Sequence, residues 1–354
     1  MIDLRTDTIT LPSPEMREAM AAASVGDDFY REDPTVALLE TEAASVLGKE
    51  AALYVPSGTM ANLLAHLTHA PGGGEVVGPE AAHSFTSEGG GPARVAGMML
   101  RTFPQARAEI DLARMASLIR PRSLLAPPTV VVWLEQPTRG YVVAIDDLAA
   151  IRVLADERGV PVHFDGARIF NASVALGVPA SEIAAFADTL MFCVSKGLAA
   201  PIGSLLVGPA AFIDDARHHR QMLGGGMRQA GIVAAGGLHA LRHNVTRLAD
   251  DHANARRLAD GLRAMPGLIV DRENVETNIF YVDVVRDDMT AADFVDRLRD
   301  AGVLVNLPSA GRRTVRFVTH FGIEAADIEA ALGTVADVLG VPARAATAGT
   351  ARSS

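Results

Sequence analysis

Lysine is almost absent from this chain. Of its 32 basic side chains only Lys49 and Lys196 are lysine, and the other 30 are arginine. A guanidinium does not lose its proton in proteins, so only these two side chains can act as amine nucleophiles toward a carbonyl. The search for such a nucleophile is therefore reduced to two positions.

The sequence also has only one cysteine, no excess of positive charge and no long apolar run. The single cysteine, Cys193, excludes an internal disulfide and a multi-thiolate zinc site, and it is predicted to be a buried strand residue. A net charge of -10 argues against nucleic acid as a partner. The apolar runs are too short to cross a bilayer and the N-terminus has no secretory pattern, which predicts a soluble, cytoplasmic protein without a membrane partner.

Common nucleotide-binding motifs are absent as well. Neither a G-x-G-x-x-G fingerprint nor a Walker sequence occurs. Their absence argues against nicotinamide and ATP as ligands. No group of residues predicts a bound metal.

Short apolar strands alternate with helical patterns over the first two thirds of the chain. The strands are predicted at residues 51–55, 75–77, 130–134, 160–164, 190–194 and 204–207. Apolar strands separated by helices predict an α/β fold with a mostly parallel sheet covered on both sides. After about residue 240, a long helix and strands near 278–284 and 314–318 predict a smaller α+β domain.

The predicted organisation has four parts. Residues 1–30 form an N-terminal arm and helix, 31–240 a large ligand-binding domain, and 241–341 a small C-terminal domain. Residues 342–354 are rich in Ala, Thr, Ser, Gly and Arg and are predicted to be a frayed tail.

Two consecutive strands carry polar side chains at their carboxyl ends. Asp165 follows the run 160–164, and Lys196 follows the run 190–194. Ligands bind at this edge of a parallel sheet. Pyridoxal 5'-phosphate (PLP) needs an amine for its Schiff base and a carboxylate at its pyridine nitrogen. The pair therefore predicts a PLP site, although Asp165 could instead cap a helix and Lys196 could be a surface lysine.

Two segments could bind the phosphate of such a ligand. Ser57, Gly58 and Thr59 open an apolar helix, whose free N–H groups bind anions, although such a cap is common without a ligand. The glycine-rich stretch 224–229 contains Arg228, a cation that could reach a phosphate.

Three further side chains have a functional and a structural interpretation. His83, just past the predicted strand 75–77, could stack on a planar ring and transfer protons, or be structural. Arg316 alternates with apolar residues and could bind a carboxylate, or be an edge-strand charge. Lys49 follows a helix end and is predicted to be a solvated terminal charge.

Nine segments together resemble the low-specificity threonine aldolase family of PLP enzymes. They run in the family's order at residues 2–8, 25–30, 32–34, 48–53, 56–62, 163–172, 195–198, 223–231 and 315–320. The resemblance implies an aspartate-aminotransferase-like fold and a homotetramer of two dimers with shared active sites. It also implies retro-aldol cleavage of a β-hydroxy-α-amino acid to glycine and an aldehyde.

The resemblance also implies residue roles. The catalytic residues would be Lys196, which carries the cofactor, Asp165 at the ring nitrogen, and His83, which stacks on the ring. Other cofactor contacts would come from Ser57, Gly58, Thr59, Arg168, Ser195 and Arg228, the last from a neighbouring subunit. The substrate would be bound by Thr6, Tyr30, Arg168 and Arg316.

Three positions and one short run of residues depart from the family's pattern. The family usually has Ser in place of Thr6, Gly in place of Arg31, and His in place of Leu125. The run 135–140 replaces a usual Glu-Asn-Thr-His-Asn. Because the groups expected around the substrate hydroxyl are altered, the base is left open between His83 and an ordered water.

Two other functions are compatible with the same cofactor residues. One is a PLP-dependent β-eliminating lyase, and the other is a non-catalytic PLP-binding scaffold. Within the aldolase interpretation the substrate is left open among threonine, allo-threonine and β-aryl or other analogues.

Overall fold

The computed structural model describes residues 1–308 and 312–342. They form two compact units, one of residues 10–246 and one of residues 1–9 with the described residues from 247 on. The start of the chain joins the smaller unit because Ile2 and Asp3 pair with Val303 and Leu304. The compact units thus divide the predicted 1–30 arm after Ile9. Apart from Pro342, the predicted tail lies outside the described residues.

Twelve strands are present in the described residues. They are β1 (Ile2–Asp3), β2 (Ala51–Val55), β3 (Gly74–Pro79), β4 (Met98–Phe103), β5 (Thr129–Glu135), β6 (Val162–Asp165), β7 (Thr189–Cys193), β8 (Ser204–Gly208), β9 (Leu268–Val270), β10 (Ile279–Val284), β11 (Val303–Leu304) and β12 (Thr314–Val318).

Fourteen α-helices and two short 3-10 helices, Asp7–Ile9 and Asp28–Tyr30, accompany them. The α-helices are α1 (Pro14–Ala21), α2 (Pro34–Val46), α3 (Gly58–His69), α4 (His83–Thr86), α5 (Gly91–Arg94), α6 (Leu112–Leu118), α7 (Ile145–Arg158), α8 (Ile169–Leu176), α9 (Ala180–Ala184), α10 (Ala210–Met222), α11 (Gly231–His243), α12 (Leu248–Arg263), α13 (Ala291–Asp300) and α14 (Ala325–Leu339).

The larger unit contains a seven-stranded sheet in the order β2-β8-β7-β6-β5-β3-β4. Its pairs are parallel except those that involve β8, which confirms the predicted mostly parallel sheet. The six strands predicted up to residue 210 occur to within two residues at either end. The edge strand β4 was not predicted, because Arg101 and Thr102 interrupt its apolar run.

Parallel register determines which residues share the carboxyl edge of this sheet. Glu135, the last residue of β5, pairs with Asp165, the last residue of β6. Asp165 pairs in turn with Met191 of β7, so that the chain leaves β7 for Lys196 at the same edge. The predicted convergence of Asp165 and the Lys196 segment follows from this register.

Aromatic stacking fills the space between α3 and the sheet. The Trp133 ring lies between the His66 ring, at 3.8 Å, and the His163 ring, at 4.1 Å. All three side chains are buried. Burial lowers the pKa of His66 to about 3 and that of His163 well below the ordinary value, so that both imidazoles are neutral parts of the core.

The smaller unit has its own core. A three-stranded antiparallel sheet in the order β12-β10-β9 packs with α12, α13 and α14 around Phe280, Phe294 and Phe317. The long helix predicted through 248–262 and the strands predicted at 278–284 and 314–318 correspond to α12, β10 and β12. Among the described residues no helix is long and apolar enough to span a bilayer.

Two ion pairs hold the turn Asp28–Tyr30 against α10. One is buried, since Arg220 and Asp28 are each 3% exposed with 2.8 Å between Nη2 and Oδ2. The other joins Arg31 to Asp214 at 2.6 Å and is more than half exposed on both sides. Arg31 has a φ of 61°, a left-handed conformation that glycine adopts without steric cost. This explains why glycine is usual at that position in the family that the sequence resembles.

The two ion pairs should differ sharply in their contribution to stability. Asp28→Ala leaves Arg220 buried without its carboxylate, so we expect a loss of about 3–5 kcal/mol in the free energy of unfolding. Asp214→Ala removes a solvent-screened pair and should cost less than about 1 kcal/mol. Denaturant unfolding followed by tryptophan fluorescence reports on this unit through Trp133. Equal losses in the two variants would contradict the assignment.

Candidate active site

Asp165 is held at the carboxyl edge of β6 by two hydrogen bonds. Its carboxyl group is buried, Oδ1 accepts from the Ala167 N–H at 3.1 Å, and Oδ2 accepts from Asn62 Nδ2 at 2.8 Å. Asp165 is not a helix cap, because α8 begins at Ile169 and Arg168 occupies its cap position. The carboxylate is thus oriented by the protein, with lone pairs left for a ligand.

Lys196 lies in the turn that follows β7 and is half-buried rather than a surface lysine. Its carbonyl oxygen accepts from Thr10 Oγ1 at 2.9 Å and from the Ala199 N–H at 2.8 Å. Ser195 fixes the preceding residue by donating from Oγ to the Gly203 carbonyl at 3.1 Å. No ion pair or hydrogen bond to the Lys196 ε-amine occurs in the described part of the chain, so the backbone is held while the amine stays available.

His83 begins α4 beside these two residues. Its imidazole is 58% exposed, and Nδ1 lies 2.6 Å from Oε1 of Glu88. The hydrogen bond to Glu88 raises the pKa of His83, the nearby charge of Asp165 adds to this, and the charge of Lys196 opposes it. His83, Asp165 and Lys196 therefore form one electrostatic group, as the sequence predicted for the sheet edge.

Three further residues contact this group and were not assigned a role from the sequence. Asn62 Nδ2 donates to Asp165 and also to Glu88 Oε1, at 2.9 Å. Glu135 Oε1 accepts from the His83 backbone N–H at 2.6 Å. Glu135 could have been found, since it ends the strand before β6 as Asp165 ends β6. Glu88 lies in a turn and has no periodic signal.

Glu135 has an altered protonation equilibrium. Burial and, after it, the negative charge of Asp165 raise its pKa to about 7. The segment after it forms a tight turn in which Thr138 and Tyr141 exchange backbone hydrogen bonds of 2.9 and 2.8 Å. Arg139 and Gly140 in the turn both have positive φ. The run 135–140, which differs from the family's usual sequence, therefore forms a defined turn that begins at the site.

The start of α3 has the geometry of an anion site. Ser57 is the N-cap and accepts from the Met60 N–H at 3.2 Å, while the N–H groups of Gly58 and Thr59 have no acceptor within the helix. A Cβ on Gly58 would lie 2.9 Å from Met191 Cε and 3.0 Å from Cys193 Sγ. Glycine therefore lets this helix start close to β7, near the edge where Lys196 lies.

His83, Glu88 and Asp165 form the one cluster in the described ranges with metal-ligand spacing. Their ligand atoms lie within 4.8 Å of one another. The Asn62 amide nitrogen, however, donates to both carboxyl groups and so lies where a cation would have to bind. The cluster has the geometry of a hydrogen-bond network.

Other predicted site residues lie elsewhere in the two units. Arg168 is half-buried at the start of α8, and Tyr30 is exposed at the end of its turn. Arg228 lies beside the same turn, with Nη1 3.2 Å from Asp27 Oδ2 and its guanidinium 5.0 Å from the Phe29 ring centroid.

Thr6 and Arg316 belong to the smaller unit. Arg316 lies on the edge strand β12, and its Nη2 donates to the Arg5 carbonyl at 3.1 Å. Thr6 Oγ1 lies 3.0 Å from Thr8 Oγ1. The Arg316 guanidinium therefore lies beside the peptide group that joins Arg5 to Thr6.

Two predictions about other positions can be compared with the structure. Lys49 is half-buried, and its ammonium donates to the Ala187 carbonyl at 2.5 Å, so the prediction of a solvated terminal charge is wrong. Helix α2 ends close to the sheet, which places that carbonyl within reach. Cys193 is buried in β7, as predicted.

Comparison with known proteins shows which family the chain belongs to. A model of the β-eliminating lyase family matches residues 3–285. A probable low-specificity L-threonine aldolase of Arabidopsis thaliana is 43% identical, over 93% of this chain and 94% of that protein. The chain belongs to the low-specificity threonine aldolase family. The low specificity L-threonine aldolase of Escherichia coli K12 is 42% identical, over 91% of this chain and 95% of that protein.

A solved structure agrees with this assignment at the level of the fold. Threonine aldolase of Leishmania major has a TM-score of 0.81 and covers 96% of this chain and 100% of that one, at 18% identity. The predicted fold class is confirmed. PLP is the cofactor of β-eliminating lyases and threonine aldolases, which confirms the cofactor predicted for this family member.

Removal of the Glu135 charge should change the pH dependence of stability. The folded pKa of about 7 exceeds the ordinary 4.5, so the folded state binds this proton more tightly, and the free energy of unfolding decreases as the pH rises between these values. Glu135→Gln should abolish this decrease and be more stable than the parent by about 1–3 kcal/mol near pH 8.

The measurement is denaturant unfolding of the cofactor-free protein at several pH values. Glu80→Gln is the control, because Glu80 is an exposed glutamate directly after β3, the strand that pairs with β5. Parallel stability profiles for the parent and Glu135→Gln would show that Glu135 has no raised pKa.

Proposed function

We propose that this protein cleaves a β-hydroxy-α-amino acid to glycine and an aldehyde by a PLP-dependent retro-aldol reaction. One observation carries the proposal: Lys196 and the oriented carboxylate of Asp165 lie at the same sheet edge, with His83 beside them. The named relatives of the family support the same reaction, with threonine as a substrate.

The residues at this edge fit the cofactor. The Lys196 ε-amine would hold its aldehyde carbon covalently, and Asp165 would accept a hydrogen bond from the protonated ring nitrogen. The start of α3 at Ser57, Gly58 and Thr59 would hold the phosphate, aided by Ser195 and Arg228. When bound, PLP supplies an electron-accepting ring that takes up the electron pair released at the substrate Cα. Asn62 keeps Asp165 oriented for this contact.

Substrate orientation is assigned to Arg168, Arg316, Thr6 and Tyr30. A guanidinium binds a carboxylate through two parallel hydrogen bonds, which restrains the direction of the remaining bonds at Cα. Arginine binding would therefore determine which bond at Cα is held in the orientation for cleavage. This placement selects the Cα–Cβ bond for cleavage over the Cα–H bond.

His83 is the proposed base for the β-hydroxyl proton. Its ring is the exposed imidazole of the group, and Glu88 occupies Nδ1, so that Nε2 is available to a substrate. As Nε2 takes the hydroxyl proton, the Cα–Cβ bond breaks and the hydroxyl carbon becomes the aldehyde carbon. The proton that Nε2 takes from the hydroxyl balances the one that Cα must receive to become glycine, so the reaction neither consumes nor releases a proton overall.

The products of β-phenylserine test the reaction. We expect equimolar benzaldehyde and glycine, because the bond at Cα–Cβ is the one that breaks. A keto acid with ammonia would instead indicate β-elimination, and cofactor binding without any turnover of phenylserine, threonine, allo-threonine or hydroxyaspartate would indicate a scaffold.

The two lysines supply a matched pair of variants for the same assay. Lys196→Arg keeps the charge but cannot bond the cofactor, so both the visible absorbance of the bound cofactor and turnover should be lost. Lys49→Arg should retain both, since Lys49 only donates a hydrogen bond to a carbonyl. Turnover by Lys196→Arg near the parent rate would overturn the assignment.

We extend the proposal to a homotetramer in the cytoplasm that acts on a free amino acid, without nucleic acid or membrane as a partner. The exposed aromatic residues Phe29 and Tyr30, next to the 61% exposed Arg228, support contact with another subunit. Such contact would let Arg228 reach the phosphate in a neighbouring copy.

Light scattering on the purified holoenzyme tests the assembly. The mass should be about four times the 37.2 kDa of one chain. Arg228→Ala should weaken cofactor affinity, because one phosphate contact is lost, while Arg242→Ala, which removes an exposed pair with Glu42, should not. A mass of one chain would contradict shared active sites.

A further inference from the structure

The side chain of Glu88 is buried although its backbone lies in a surface turn. Glu88 lies between the short helices α4 and α5 and is followed by Gly89 and Gly90, whose φ values are 67° and 75°. Two consecutive left-handed residues reverse the chain tightly, a conformation that is sterically cheap only for glycine. Despite this position the Glu88 side chain is only 4% exposed. The turn thus directs a carboxylate into the protein.

A buried carboxylate is costly unless donors surround it. Glu88 Oε1 has two such partners, the His83 imidazole with Nδ1 at 2.6 Å and the Asn62 amide at 2.9 Å. Asn62 uses its amide nitrogen a second time, toward Asp165 Oδ2 at 2.8 Å. The Glu88 carboxylate is therefore connected directly to the His83 ring and, through Asn62, to the Asp165 carboxylate.

The contact with Glu88 determines the tautomer of His83. A carboxylate only accepts hydrogen bonds, so Nδ1 must carry the proton. In the neutral imidazole Nε2 then has the lone pair, and Nε2 is the atom that can act as a base. Without Glu88 both tautomers would be populated and the ring could rotate, because 58% of it is exposed.

We propose that Glu88 is a positioning residue that keeps His83 in the Nδ1–H tautomer and, through Asn62, keeps Asp165 in place. The role rests on the proposed function, since it concerns the same site. The charged groups that face His83 are Glu88, Asp165 and Lys196, together with Glu135 at its backbone N–H. Glu88 is the one of these that bonds directly to the ring.

The first test needs neither cofactor nor turnover. Nitrogen-15 NMR of the imidazoles in the cofactor-free protein, with His83→Asn to identify the resonance, reports tautomer and pKa. The parent should show the Nδ1–H tautomer. Glu88→Gln removes the charge but keeps the shape, so the pKa of His83 should decrease. Glu80→Gln, an exposed change three residues before His83, should leave it unchanged.

The second test is the pH profile of retro-aldol turnover. In Glu88→Gln the acid limb of kcat/KM should move to lower pH together with the pKa of His83, and kcat should fall roughly tenfold with KM nearly constant. A residue with only a structural role would lower stability and leave the limb in place. Thermal unfolding of both variants separates these effects.

The outcomes distinguish the two hypotheses. An Nε2–H tautomer in the parent, or an unchanged pKa of His83 in Glu88→Gln, would overturn the role of Glu88 even if the enzyme is an aldolase. The expected NMR result in a protein that cleaves no β-hydroxy amino acid would support the contact with Glu88 and reject the proposed function.

Discussion

The parallel pairing of β5, β6 and β7 is the constraint on which the site depends. Because parallel strands all end at the same sheet edge, Glu135, Asp165 and the turn with Lys196 converge although long connections separate them in the chain. Helix α3 contributes two residues near its N-terminus, its N-cap Ser57 and Asn62. A shift of one residue in β6 would point Asp165 to the opposite face.

Charge is unusually concentrated at this edge. The carboxyl groups of Glu88, Glu135 and Asp165 lie close together, and the basic groups near them are His83 and Lys196. Burial of several carboxyl groups requires either donors or protonation. Asn62 supplies donors to two of them, and Glu135 holds its proton more tightly. The excess of carboxyl groups at the site therefore favours the binding of a cationic ring nitrogen and of an amine.

The departures from the family's pattern have different structural consequences. Arg31 has a left-handed backbone conformation, which costs an arginine more free energy than the glycine usual at this position. Its ion pair with Asp214 at the surface offsets part of that cost. Leu125 is 98% exposed and so is not held against the rest of its chain. The residues proposed to hold the cofactor lie at the ends of strands and helices or in the turns directly beside them. Divergence is thus concentrated in turns and loops, where the backbone tolerates it.

The sequence alone determined the strand pattern, the mostly parallel sheet, the cofactor and the family. These depend on local periodicity and on a few residues such as Lys196 and Asp165, whose chemistry is specific. Only the tertiary structure decided that Asn62, Glu88 and Glu135 join them, and that Lys49 donates to a carbonyl. Those contacts connect residues far apart in the chain, or depend on the direction of a side chain in a turn, and neither leaves a periodic signal in the sequence.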